Sequence, residues 1–371
     1  MQQKIYQAAL IGCGRIGYSL GLDKKREQPA SHTMALNENA RIKLVAGCDT
    51  DAAALQKWQA ANRRAVIYGD SANLYARHKP DIVVIAVNES SHMKEAVSAI
   101  VSRPRLVILE KPVALSMDEA LRIKREAERN GVPVLVNHER RFALDYDMAR
   151  SYIKRIGTVQ GIHARLSSSM AVYNSKEEHT GAYSLIHDGT HLVDAVLFFL
   201  ETLNDGEVSS VREITAGGEG LLKRAMGMSK DVRYENTFLK NPVITGLFRD
   251  EGGAVRNMSA HYITPVCPDV TISMSGRSKF FGFEILIDGT EGRICIGNGY
   301  LKLYRRQEST LYTGFYSLMS DGSVKVPRRT MYFANMVQNA VDFLDGTAAL
   351  KSTLQTGINS LAVLEEIKNK L

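Results

Sequence analysis

Through its first third the chain repeats one pattern, a short apolar run followed by a helical stretch. The runs lie at residues 7–11, 42–48, 66–68, 81–87, 106–109 and 134–136, with helical spacing between them at 52–61, 91–101 and 117–129. Strands that are apolar at nearly every position, not at every second one, are covered on both faces. Parallel strands joined by helices make such a sheet. The pattern predicts an α/β fold over residues 1–135, a doubly wound parallel sheet of the Rossmann kind.

The turn after the first run reads Gly12-Cys13-Gly14-Arg15-Ile16-Gly17. A GxGxxG cluster carries weight only between a strand and a helix, and that is its predicted context here. Gly12 permits the tight turn, Gly14 lets backbone approach a pyrophosphate, and Gly17 allows close helix–strand packing; the helix start supplies free amides to the anion. Asp49, ending the second strand, is the expected acceptor for the adenosine ribose hydroxyls. It lies further from the glycines than the usual spacing of about 20 residues. A polar run at 21–31 accounts for the surplus as an inserted loop before a second helical piece at 32–37, a change that costs little. A carboxylate at that strand end repels a 2′-phosphate, so the expected cofactor is NAD in preference to NADP.

Glu110-Lys111-Pro112 ends the fifth strand, on the edge where open α/β sheets bind ligands. Lys111 there suits proton transfer or stabilisation of a developing alkoxide; a surface pair with Glu110 is the plainer alternative. Further on, a stretch read as one helix over 183–200 carries His187, His191 and Asp194 at i, i+4 and i+7, a shared face. The histidines read as catalytic, as satisfied core side chains, or as a zinc pair. The zinc reading lacks the HExxH glutamate and a third ligand, so no metal is expected.

From about residue 156 the periodicity changes. Extended segments at 243–249 and 254–262 flank Asp250-Glu251-Gly252-Gly253, a hairpin signal, and others follow at 270–275, 280–287 and 294–296. Helices close the chain near 331–344 and 357–371. This predicts a second, α+β domain over 136–371, built on a large open antiparallel sheet, with the last helix packing back on the first domain.

The net charge of +7 is scattered, and its densest cluster, Lys24-Lys25-Arg26, runs straight into Glu27 without interleaved aromatics, which argues against nucleic acid as a partner. The four cysteines show no CxxC pairing. No run approaches the ~18 apolar residues that cross a bilayer, and residues 1–6 carry no secretory pattern. A cytoplasmic protein without membrane association is expected.

Taken together, GxGxxG at 12–17, Glu110-Lys111-Pro112, Asn137-His138-Glu139-Arg140-Arg141-Phe142, His191-x-x-Asp194 and Asp288-Gly289-Thr290-Glu291-Gly292 resemble the glucose–fructose oxidoreductase / inositol dehydrogenase / rhizopine-catabolism (Gfo/Idh/MocA) family. The resemblance implies a cofactor site at Gly12, Gly14, Arg15, Ile16, Gly17, Asp49, Val87, Asn88, His92, Glu110 and Lys111. It implies catalysis by Lys111 and His191, either of which can take the proton, with His187 touching the substrate or orienting His191. Many members have an Asp where His187 stands and an Asn where Glu139 stands. The implied activity is NAD-dependent hydride transfer to or from a sugar, polyol or nucleotide-sugar alcohol, in a homodimer or homotetramer. A galactose-responsive repressor shares the family fold, so a non-catalytic NAD-binding sensor is the alternative; Lys111 and His191 discriminate, since a sensor has no need of them.

Overall fold

The computed structural model describes residues 4–208 and 238–371. Two compact units account for them: residues 4–142 with 331–361, and residues 143–208 with 238–330 and 362–371.

The first unit holds six strands, β1 (Tyr6–Ile11), β2 (Ile42–Cys48), β3 (Val66–Tyr68), β4 (Ile82–Ile85), β5 (Leu106–Leu109) and β6 (Val134–Val136). All pair in parallel, in the order β3-β2-β1-β4-β5-β6. The chain reverses its winding between β1 and β4, so the carboxyl ends of those strands open a crevice for a ligand. Every residue of β4, β5 and β6 is buried, as continuous apolar strands require. Helices α1 (His32–Glu38), α2 (Ala52–Ala61), α3 (Ser71–Arg77), α4 (His92–Val101) and α5 (Met117–Asn130) connect them. Short polar residues start these helices. Ser31 caps α1, Asp51 caps α2, Asp70 caps α3 and Ser116 caps α5, each accepting from an amide of the first turn.

The glycine turn departs from the sequence reading, which has it opening a helix. The amides of Tyr18 and Ser19 both reach back to the Gly14 carbonyl, one 3-10 turn follows at Ser19–Leu22, and the chain leaves on the inserted loop. It returns at α1, where the His32 amide donates to Ile16 O (3.1 Å) and the Thr33 amide to Gly17 O (2.9 Å). The insertion is an excursion whose two ends are stitched together. Trp58 of α2, fully buried, donates from Nε1 to Thr33 Oγ1 (2.8 Å), which donates to Gly17 O (2.6 Å). Gly47 leaves room for the indole, whose ring lies where a Cβ would stand.

The second unit is built on an eight-stranded sheet. Its strands are β7 (Val159–Ser167), β8 (Val243–Arg249), β9 (Val255–Tyr262), β10 (Val270–Ser275), β11 (Gly282–Gly289), β12 (Gly292–Gly297), β13 (Tyr300–Glu308) and β14 (Tyr316–Ser320). The order is β14-β13-β12-β11-β7-β10-β9-β8. Neighbours are antiparallel except β7 and β10, which run parallel; the long connection between them, through helices and two strands, makes that pairing possible. Alternating burial along β9, β10 and β12 marks one covered face. Helix α6 (Leu144–Tyr152) packs on β12 and β13 there, and α8 (Gly189–Val208) packs on β7 and β10. The stretch read as one helix over 183–200 is two, α7 (Ser184–His187) and α8, broken at Asp188. Gly189 follows the break and packs on Met274 of β10, where a Cβ would meet the methionine's Cε and the Ser184 carbonyl. Helices α9 (Tyr332–Leu344) and α10 (Leu354–Lys368) end the chain. The first buries Phe333, Met336, Val337 and Phe343 in the core of the first unit; the division between units falls within the second, after Leu361. Among the described residues no helix is long and apolar enough to cross a membrane.

Because Trp58 fills the space beside Gly47 and ties α1 to the glycine turn, Trp58→Ala is expected to cost about 3–5 kcal/mol of stability. Denaturant unfolding measures this; a loss under about 1 kcal/mol would show that the pocket collapses around the gap.

Candidate functional site

Gly12 stands where β1 ends, with φ +96°, and a Cβ there would run into the backbone of Ala86 and Val87 just beyond β4. Only glycine accepts both the angle and the approach. At Gly17 a Cβ would strike the Gly12 carbonyl, so the turn closes on itself. Gly14 differs: nothing lies within 4 Å of where its Cβ would be. That open backbone, followed by exposed Arg15 and half-buried Ile16, fits the close approach of a dinucleotide pyrophosphate.

Asp49 follows β2 and holds the turn from the side. Its Oδ2 accepts from the Cys13 amide (2.7 Å) and its Oδ1 from the Asp51 amide (2.9 Å). Each oxygen keeps a second lone pair for a ribose hydroxyl. Buried Cys13 and Cys48 flank this contact, and burial pushes both thiols up, Cys48 to about 12, so neither is a nucleophile at neutral pH.

Beyond β4, Val87 is half-buried and Asn88 exposed. His92, the first residue of α4 and 1% exposed, has Nδ1 2.6 Å from Pro112 O and Nε2 3.1 Å from Val87 O. It thereby braces the residue after β4 against the turn after β5. Burial pulls its imidazole below the ordinary range despite those carbonyls.

The turn after β5 carries Glu110, Lys111 and Pro112, and the Lys111–Pro112 peptide is cis. Glu110 is 6% exposed and takes two short bonds on one oxygen: His32 Nε2 at 2.6 Å and Asn137 Nδ2 at 2.6 Å. Its other oxygen accepts from the Lys111 amide (3.3 Å). Burial alone would raise this carboxyl, but the bonds from His32 and Asn137 and the nearby Lys111 charge outweigh it, holding the group below the usual carboxylate range. Sequence reasoning missed His32. It lies 78 residues from Glu110, and its only local signal is its place at the head of α1, where the inserted loop rejoins the fold. Lys111 is half-buried at the carboxyl edge.

His187 ends α7 and His191 lies in the first turn of α8, both half-buried, while Asp194 is 1% exposed. The i, i+4 spacing straddles the break at Asp188, so a continuous helix no longer sets their separation.

Residues 6–138 match the profile of an oxidoreductase family with an NAD-binding Rossmann fold. That profile is the one of the Gfo/Idh/MocA oxidoreductases, and it covers the first unit's sheet. It is 23% identical over 212 residues to 1-carboxy-3-chloro-3,4-dihydroxycyclo hexa-1,5-diene dehydrogenase of Comamonas testosteroni, covering 56% of this chain and 52% of that protein. It is 28% identical over 308 residues to D-apiose dehydrogenase of Paraburkholderia graminis, covering 82% and 71%. The chain thus spans about half the length of the first of these relatives. Among solved structures, an Agrobacterium radiobacter oxidoreductase in complex with NAD+, L-tartaric acid and magnesium has a TM-score of 0.69 at 16% identity, over 99% of this chain and 97% of that one. At that identity the likeness is one of fold.

Two groups at this edge make stability fall in acid. His92 is depressed on folding, so its contribution is complete above the unfolded value of about 6.5 and is lost as pH drops below it. Glu110, also depressed, contributes fully above about 4.3 and loses that contribution as pH falls through its folded value. Thermal melts between pH 7 and 4 are expected to show a first decline below about 6.5 that His92→Asn flattens. An unchanged profile in that variant would assign the decline elsewhere.

Proposed function

We propose that this protein is an NAD-dependent oxidoreductase that moves hydride between a sugar-like secondary or primary alcohol and the nicotinamide. The observation that carries the reading is the turn after β5. There a buried, hydrogen-bonded Glu110 backs a lysine at the carboxyl edge of a dinucleotide-type sheet. A sensor needs the glycine turn but has no use for that lysine. The relatives, dehydrogenases of D-apiose and of a dihydroxylated ring, support a hydroxyl-bearing carbon as the reacting centre.

NAD, when bound, supplies the hydride acceptor. The backbone at Gly14, Arg15 and Ile16 would hold its pyrophosphate, and Asp49 its adenosine ribose, with Val87, Asn88, His92 and Glu110 around the remainder of the cofactor. In the oxidation direction Lys111 Nζ donates a hydrogen bond to the substrate oxygen and stabilises the charge that develops there. His191 takes the carbinol proton on its imidazole. His187, one turn earlier in sequence, orients His191 or contacts the substrate.

Asp49 accepts from a ribose diol and repels a 2′-phosphate, so NAD is expected to raise the melting temperature more than NADP at equal concentration. Asp49→Ser should shrink the NAD effect, since it also releases the Cys13 amide. Equal or greater stabilisation by NADP would remove Asp49 from ribose recognition.

Sugars, polyols and nucleotide sugars screened by NADH absorbance test the activity directly. With a turned-over compound in hand, Lys111→Ala and His191→Ala should each lower kcat by about 10²–10⁴-fold while NAD still stabilises the protein. A Lys111→Ala enzyme within a few-fold of wild type would return the chain to the sensor reading.

A further inference from the structure

A carboxylate taken out of water is tolerated only where charge or hydrogen bonds replace the lost solvation. Glu110 meets that requirement through two donors, His32 and Asn137, each at 2.6 Å. His32 is fully buried, and its Nδ1 has no hydrogen-bond partner. The ring stands edge-on to Phe333 of α9, centroids 5.1 Å apart and planes at 87°. Nε2 faces an oxygen that only accepts, so that nitrogen carries a proton and donates it to Glu110. A core histidine that merely filled space would have no reason to spend a 2.6 Å bond on the carboxylate next to Lys111. The other charged or titratable groups around Glu110 are Lys111, next in the chain, and His92 of α4, whose two ring nitrogens face the Pro112 and Val87 carbonyls.

We propose that His32 is a positioning residue: by donating to Glu110 it maintains a buried negative charge beside Lys111 and so governs how the Lys111 ammonium is presented at the sheet edge. This rests on Lys111 acting upon the substrate oxygen, but its physical core is independent of any substrate. The three residues come from separate places, the head of α1, the turn after β5 and, for Asn137, the residue after β6. They therefore also lock the carboxyl ends of neighbouring elements around the reacting lysine.

Reductive methylation of the full-length protein with formaldehyde and a borane reagent, at pH 8, tests it. The reagents modify only an amine they can reach, and a side chain no longer held by its buried counter-charge is more open to them. The rate at Lys111, read by mass spectrometry with the other lysines as internal standards, is expected to rise several-fold in Glu110→Gln and in His32→Leu. His32→Gln, which keeps an N–H donor at similar reach, should return the rate to near wild type. The double variant should be no faster than Glu110→Gln alone, because His32 acts through that carboxylate. Folding is monitored by thermal melt, and NADH binding by energy transfer from Trp58, the single tryptophan. Should His32→Leu fail to fold, His32→Asn, whose amide falls short of Glu110, replaces it with the same expectation. An unchanged Lys111 rate in the folded His32 variant, or an additive double variant, would overturn the proposal and leave His32 as packing. Absence of NAD-linked turnover would leave these rates as they are, so the two readings fail separately.

Discussion

The first unit is organised by the place where β1 meets β4. Gly12, at φ +96°, brings its backbone against Ala86 and Val87 with no room for a methyl group. That contact sets where the chain turns, and the turn sets everything around it. The Cys13 amide becomes available to Asp49, the Gly17 carbonyl to Thr33, and Thr33 in turn to Trp58. A glycine-rich turn would otherwise be a loose segment with a large entropy to lose. Here side chains from α1, α2 and the end of β2 hold it, and only Gly14 is left open.

A second constraint acts along the same edge. Glu110 carries a buried charge, and every element near it contributes something to make that tolerable: α1 sends His32, the segment after β6 sends Asn137, and the next residue sends its amide. His92 of α4 performs the companion task for the backbone, facing Val87 O and Pro112 O. The edge is therefore held in place by the chain's own side chains. Such rigidity is what a site needs if a lysine is to meet a reacting oxygen without reorganisation.

Local pattern was a good guide where the fold is local. The six parallel strands announce themselves as unbroken apolar runs, and the caps Ser31, Asp51, Asp70 and Ser116 sit just ahead of their helices. It was a poorer guide where a distant neighbour decides. The helical spacing around His187 and His191 is continuous, yet Gly189 packs on Met274 of β10 and the helix breaks at Asp188. Strands β13 and β14 went unread. β13 alternates only as far as Tyr304 before a polar, exposed end, and β14 is exposed throughout, so the burial rhythm that marks a strand is short in one and absent in the other. The parallel pairing of β7 with β10 has no local signature either, because strand direction depends on where the chain has been in between.

Taken alone, the sequence determined the class of the first unit, the glycine turn with Asp49 beside it, and the place of Lys111 at the end of the fifth strand. Each of these depends on neighbours within a few positions, or on a strand's own apolar run. Only the tertiary structure decided that His32 belongs with Glu110, across 78 residues. It alone closed the inserted loop onto Ile16 and Gly17, and it alone broke the helix between His187 and His191. The physical reason is the same in each case. A buried charge, a carbonyl or a crowded glycine takes its partner from whatever the fold places within about 3 Å, the reach of a hydrogen bond or close contact, and distance along the chain does not enter.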